Sequence, residues 1–180
     1  ECFMDVTFGF DMQKDFIDGA LGTPEAQAIV PNVQKKIKEY LDNAHEVIFT
    51  RDTHGANYME TNEGKNLPVP HCIIGTDGWQ IPTEIDVPNC LHINKPTFGF
   101  TNWTNGVVTN FDMYDDKTSE IEIIGLCTDI CVVSNALILK ALLPEIKITV
   151  DASCCAGVTP DTHKAALQTM KMCQINVIGE

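Results

Sequence analysis

Positive charge is scarce in this sequence. Its 180 residues carry 12 Lys and Arg against 25 Asp and Glu, a formal net charge of −13. A surface of that sign repels nucleic acid and anionic lipid, so neither is expected as a partner. Long apolar runs are also missing. None approaches the roughly 20 residues needed to cross a bilayer. The first residues lack the basic stretch and apolar run of a secretory leader, which predicts a cytoplasmic protein. The eight cysteines include no CxxC pair. They stand irregularly at 2, 72, 90, 127, 131, 154, 155 and 173, and the adjacency of Cys154 and Cys155 disfavours a bridge between them. Most therefore read as small buried hydrophobes in a reducing compartment, not as a disulfide framework.

What is present is ordinary globular material: 44% hydrophobic and 21% charged residues, with 12 Gly and 9 Pro. The length suits one domain over 1–180. Strands are expected at 2–10, 46–50, 90–94, 121–125, 146–150 and 175–178. Helices are expected at 31–44, with Pro31 in the first turn, at 129–143, capped by Thr128 or Asp129 and ended by Pro144, and at 161–173. Residues 19–24 read as a loop. A long irregular stretch from Arg51 to about Pro88, rich in Gly, Pro, Asn and Thr, is of a length that is usually functional. The second half alternates strand and helix with short links, which predicts an α/β fold, three-layer α/β/α, with a mostly parallel sheet. In such sheets sites lie at the carboxyl ends of strands. Asp11, Asp52, Lys95 and Cys131 all follow expected strands.

Cys131 sits in Gly125-Leu-Cys-Thr-Asp-Ile-Cys131-Val132, where a strand gives way to a helix. The free N–H groups and dipole of a first helical turn favour a thiolate and can also stabilise an oxyanion. For an arbitrary cysteine, burial as a structural residue is the commoner outcome. Asp11 and Lys95 could supply the proton acceptor and positive neighbour such a nucleophile needs. Alone, each would read as a solvated charge.

Asp52-Thr53-His54 follows a strand, and residues two apart in extended chain project to one side. A carboxylate and an imidazole there, joined by His71 and by Glu63, would hold one divalent metal and leave positions open. Zinc leads that expectation, with manganese and iron also suited. By spacing alone the signal is weak, since DxH in a loop is common.

The motifs Asp11-x-Gln13-x-Asp15-Phe16, Gly75-Thr-Asp-Gly78, Lys95-x-x-Phe98-Gly99 and Gly125-x-x-Thr128-Asp129-x-Cys131-Val132 follow one another along nearly the whole chain. In that order the sequence resembles the isochorismatase-like cysteine hydrolases, and among them the nicotinamidase/pyrazinamidase branch. The resemblance implies an isochorismatase-like, Rossmann-like fold and a catalytic triad of Asp11, Lys95 and Cys131. It implies a cis peptide at Leu126–Cys127, with the N–H groups of Cys127 and Cys131 as the oxyanion hole. It matches Asp52, His54 and His71 to metal ligands, with Glu63 as an added carboxylate. Phe16, Leu21, Ile130 and Trp103 would line a slot for a flat ring. The chain has Pro68 where some pyrazinamidases carry Trp. The implied reaction is hydrolysis of nicotinamide, a small-molecule amide, and the implied assembly is a homo-oligomer. Other reactions of the family (on ureido, carbamoyl or biuret-type amides, or on isochorismate) and a non-catalytic metal-binding scaffold are the competing readings.

Overall fold

The computed structural model describes residues 5–105 and 120–180. Six strands form one sheet in which every pairing is parallel: β1 (Val6–Phe10), β2 (Glu46–Asp52), β3 (Leu91–Lys95), β4 (Glu120–Leu126), β5 (Lys147–Ala156) and β6 (Asn176–Ile178), in the order β3-β2-β1-β4-β5-β6. The chain winds one way from β1 to β3 and the other way from β4 to β6. The reversal falls between β1 and β4, and it is there that open parallel sheets form their ligand crevice. All five residues of β1 are buried, and in β4 six of seven are. A sheet covered on both faces requires such unbroken runs in place of alternation. The expected α/β/α architecture is therefore found, with an entirely parallel sheet among the described strands.

Helix α1 (Lys14–Ile17) is a single turn, and α2 (Pro24–Asp42) covers one face of the sheet. On that face Val33 and Ile37 of α2 pack with Phe49, Ile124 and Cys154. α3 (Asn62–Asn66) belongs to the loop after β2. Helices α4 (Val133–Leu142) and α5 (Pro160–Met172) cover the other face, where Leu139 and Leu167 pack against Phe8, Ile121 and Val150. Beneath α2, Lys36 Nζ pairs with Glu122 at 2.8 Å and Asp151 at 3.0 Å. Among the described residues no helix is long and apolar enough to cross a membrane. The seven cysteines described are all free.

Three expectations need correction. α2 starts at Pro24, not Pro31: the Thr23 side chain accepts from the Ala26 N–H, and Pro24 takes the first position, where its missing N–H costs nothing. Pro31 lies inside that helix on its exposed side. β5 runs six residues beyond Val150, because Ser153-Cys154-Cys155 continues the strand without the β-branched residues that mark one in sequence. The turn bearing Cys131 is a π-type turn, Thr128–Val132, ahead of α4. Its cap is Cys127, and the Thr128 and Asp129 side chains face away, toward His163 and the Val158 N–H. The expected strand's residues 2–4 lie outside the described residues.

Candidate active site

Asp11 follows β1 with φ +48°, an uncommon conformation for a residue with a side chain. Its N–H donates to the Thr50 carbonyl at 3.2 Å, and the Thr50 hydroxyl donates to its Oδ1 at 2.7 Å. The neighbouring strand β2 thus fixes the carboxylate. Gly125 of β4 has φ +120°, and a Cβ there would lie 2.1 Å from the Phe10 carbonyl. Only glycine lets β4 come this close to the strand that delivers Asp11. The next peptide but one, Leu126–Cys127, is cis. After it the Cys127 carbonyl accepts from Ile130 and Val132, passing over the N–H of Cys131 between them.

Lys95, the last residue of β3, reaches across β2 and β1. Its ammonium lies 2.6 Å from Asp11 Oδ2, 3.4 Å from Cys131 Sγ and 3.2 Å from the Thr97 carbonyl. Asp11 and Lys95 have no solvent exposure and Cys131 only 4%. Burial lifts the Asp11 carboxyl against the pull of Lys95. Burial and the Asp11 charge lift the Cys131 thiol, again opposed by Lys95. One buried cation balances one anion.

The second group gathers four ligand atoms, from Asp52, His54, Glu63 and His71, all within 4.8 Å of one another. Asp52 ends β2, and its Oδ2 lies 2.9 Å from His54 Nε2 and 3.4 Å from His71 Nε2. Glu63 Oε1 lies 3.5 and 3.7 Å from the same two nitrogens. The Val69 carbonyl lies 2.8 Å from His71 Nδ1 and fixes the ring with Nε2 turned toward Asp52 and Glu63. Burial would raise the Asp52 carboxyl, but its bonds to both imidazoles hold it well below the usual carboxylate range. Glu63 is pushed up, first by burial. Asp52 Oδ1 and Glu63 Oε1 are buried with no hydrogen-bond donor among the described residues. Two imidazoles and two carboxylates with unsatisfied buried oxygens are a donor set that fits a divalent cation.

Between the two groups lies a cavity of about 220 Å³, below the roughly 300–1,000 Å³ of drug-sized pockets. Its polar lining is Asp52, Glu63, His71, Thr23, Cys127 and Cys131, and the rest is apolar. Phe16, Leu21 and Ile130 are on its wall as expected. Trp103 is not. Its ring is fully buried against Phe8, Phe10 and Phe100, at centroid distances of 5.2, 6.0 and 4.9 Å. Core packing claims it because the flat edges of three phenyl rings form a box of its size. Trp103→Leu is expected to cost about 2 kcal/mol of stability, read in urea unfolding, with the substrate KM unchanged; a raised KM would return Trp103 to the pocket.

The sequence reading assigned no role to several residues that act here. Gln13 is fully buried and clamps the backbone at Asp52: its Oε1 accepts from the Asp52 N–H at 2.7 Å, and its Nε2 donates to the carbonyls of Asp52 and Trp79 at 2.8 and 2.9 Å. Asp15 Oδ2 accepts from the Cys72 N–H at 2.8 Å, fixing the turn next to His71. Both belong to the opening motif, and that was their only signal. Phe98 and Leu67 add to the cavity wall.

The family model of the isochorismatase domain matches residues 7–179. A nicotinamidase/pyrazinamidase of Mycobacterium tuberculosis strain H37Rv is 25% identical over 184 residues, spanning 93% of this chain and 95% of that protein. The crystal structure of the nicotinamidase/pyrazinamidase PncA from Bacillus subtilis superposes with a TM-score of 0.79 at 23% identity, covering 97% of this chain and 98% of that one. The pyrazinamidase of Pyrococcus horikoshii in complex with zinc gives 0.78 at 24%, covering 98% and 99%. At these identities the structural likeness speaks to the fold.

Proposed function

The chain belongs to the isochorismatase family, and we propose that it is a metal-assisted cysteine amidohydrolase that converts nicotinamide and water to nicotinate and ammonia. The observation that carries this reading is the Lys95 ammonium in contact with both the Asp11 carboxylate and the Cys131 thiol, with Cys131 lining the same small, largely apolar cavity as Asp52, Glu63 and His71 of the four-residue cluster. The carboxamide of a flat heteroaromatic amide would meet the thiol while its ring lies against Phe16.

Asp11 takes the Cys131 proton as the sulfur attacks the amide carbon. Lys95 stays charged: burial works against it, but Asp11 and Cys131 hold its pKa above the ordinary lysine value. It carries no proton in the reaction. It keeps the negative charge tolerable as that charge moves between carboxylate and sulfur. The oxyanion would meet the N–H groups of Cys127, the cap, and of Cys131, in the turn ahead of α4, where N–H groups at a helix start lack intrahelical acceptors. Asp11 then returns the proton to the leaving nitrogen, ammonia departs, and water hydrolyses the thioester with Asp11 as base. Asp52, His54, His71 and Glu63 would hold a divalent cation, which when bound offers a Lewis-acidic position for a ring nitrogen.

The test is ammonia release from nicotinamide by purified protein, before and after treatment with a chelator. Release is expected, and chelation is expected to lower it by at least roughly tenfold, with recovery on adding zinc, manganese or iron(II). No release from nicotinamide, with turnover of a ureido or carbamoyl amide instead, would replace the substrate assignment. No turnover of any amide would favour the scaffold reading.

A further inference from the structure

Asn135 lies one helical turn beyond Cys131 and is completely buried. Its side-chain amide has three partners. Nδ2 donates to the Cys131 carbonyl at 2.8 Å and to the Phe98 carbonyl at 2.9 Å, and Oδ1 accepts from the Phe100 N–H at 2.8 Å. Phe98 and Phe100 belong to the loop that leaves β3. That loop does two things at the site. The Thr97 carbonyl receives a hydrogen bond from the Lys95 ammonium, and the Phe98 ring forms part of the cavity wall. The loop lies so close to α4 that a Cβ at Gly99 would come 2.9 Å from Ile138 Cδ1.

The sheet links Lys95 to the Cys131 turn only indirectly, through three strand pairings. β3 is an edge strand, separated from β4 by β2 and β1. Any shear across three ladders would displace the ammonium from the sulfur. Asn135 is a direct tie between the loop that follows Lys95 and the turn that carries Cys131. We propose that Asn135 is a positioning residue for the reaction, setting the Lys95 ammonium and the Phe98 wall against the Cys131 thiol. The proposal rests on the reading of Cys131 as nucleophile. An apolar residue of the same size would fill the space and leave the loop untied, so packing does not account for three satisfied bonds in this direction.

Two variants separate positioning from stability. Asn135→Leu removes all three bonds at similar volume. Asn135→Asp keeps the shape and the acceptor for Phe100, but sets an oxygen against two carbonyls. kcat and KM for ammonia release from nicotinamide are measured on the folded proteins. Alkylation of Cys131 by iodoacetamide is followed separately by peptide mass spectrometry. Both variants are expected to lose roughly ten- to hundredfold in kcat/KM, the scale of a small misplacement of reacting groups, with a raised KM and an altered alkylation rate. The Asn135→Asp activity, relative to the parent protein, is expected to rise as pH falls, because a protonated carboxyl again has a donor. If either folded variant has unchanged kcat, KM and alkylation rate and only a lower unfolding midpoint, Asn135 is structural and the proposal fails. Should Asn135→Leu not fold, the pH series of Asn135→Asp decides by the same criteria. Should the parent protein not hydrolyse nicotinamide, the alkylation rates still decide the role of Asn135, so the two readings fail separately.

Discussion

Cys131→Ala is expected to abolish ammonia release, by at least roughly 10⁴-fold, while the unfolding free energy changes by no more than about 1 kcal/mol. The activity term follows from what remains in the cavity. Without sulfur, Asp11 has a proton acceptor's position but nothing to deprotonate except water held at random. The stability term is small because the change removes one sulfur atom that borders the cavity and touches Lys95 Nζ at 3.4 Å, while the Lys95–Asp11 pair at 2.6 Å and the backbone bond from Asn135 survive it. Cys131→Ser separates nucleophilicity from shape. Its hydroxyl fills the site, but an alkoxide is far harder to form than a thiolate with the same base, so this variant too is expected to be inactive at neutral pH. Circular dichroism and urea midpoints close to the parent protein, together with lost turnover, are the expected pair of results. Turnover near the parent level in either variant would remove Cys131 from the mechanism.

The nucleophile was legible because its signal is local. A strand, a glycine and a helix start lie within seven residues, and the sheet order puts that junction at the crevice beside β1. Asp11 and Lys95 were legible as charges at the ends of expected strands and, through the motif resemblance, as partners of Cys131, but convergence of β1, β3 and β4 is a property of topology that no window of sequence contains. Asp52 and His54 lie two apart and could be paired by eye. His71 reaches them through a parallel bridge between His54 and Ile73, and Glu63 through a one-turn helix capped by Thr61. Both are loop events that periodicity does not register. Trp103 went astray for a related reason. An aromatic residue soon after the Lys95 motif suits a pocket wall and a core equally, and only the positions of Phe8, Phe10 and Phe100 decide between them. Gln13, Asp15 and Asn135 act by bonding to backbone far along the chain, which leaves no compositional trace.

Lys95→Met is expected to lower turnover by at least roughly 10³-fold and, unlike Cys131→Ala, to cost about 3–5 kcal/mol of stability at neutral pH. The methionine fills the channel of the lysine stem but leaves the Asp11 carboxylate buried without its cation, with the neutral Thr50 hydroxyl still donating to it. That carboxyl would then titrate far above its ordinary 3.8, first because burial raises it and second because Lys95, which opposes the rise, is gone. The pH dependence follows from this shift. Below about 3.8 Asp11 is protonated in folded and unfolded variant alike, and it contributes no penalty. As pH rises from there the unfolded chain ionises while the folded one resists, so the variant loses stability until its folded pKa is passed. The deficit relative to the parent protein should therefore shrink as pH is lowered from neutral toward 4. The parent's lysine behaves oppositely: its raised pKa stabilises the fold throughout the range below 10.5 and ceases to do so only as pH climbs beyond. Urea midpoints of both proteins from pH 4 to 8 give the comparison. A deficit that stays constant over that interval would mean that Asp11 is not the group left uncompensated, and the Lys95–Asp11 pair would lose its place as the electrostatic centre of the site.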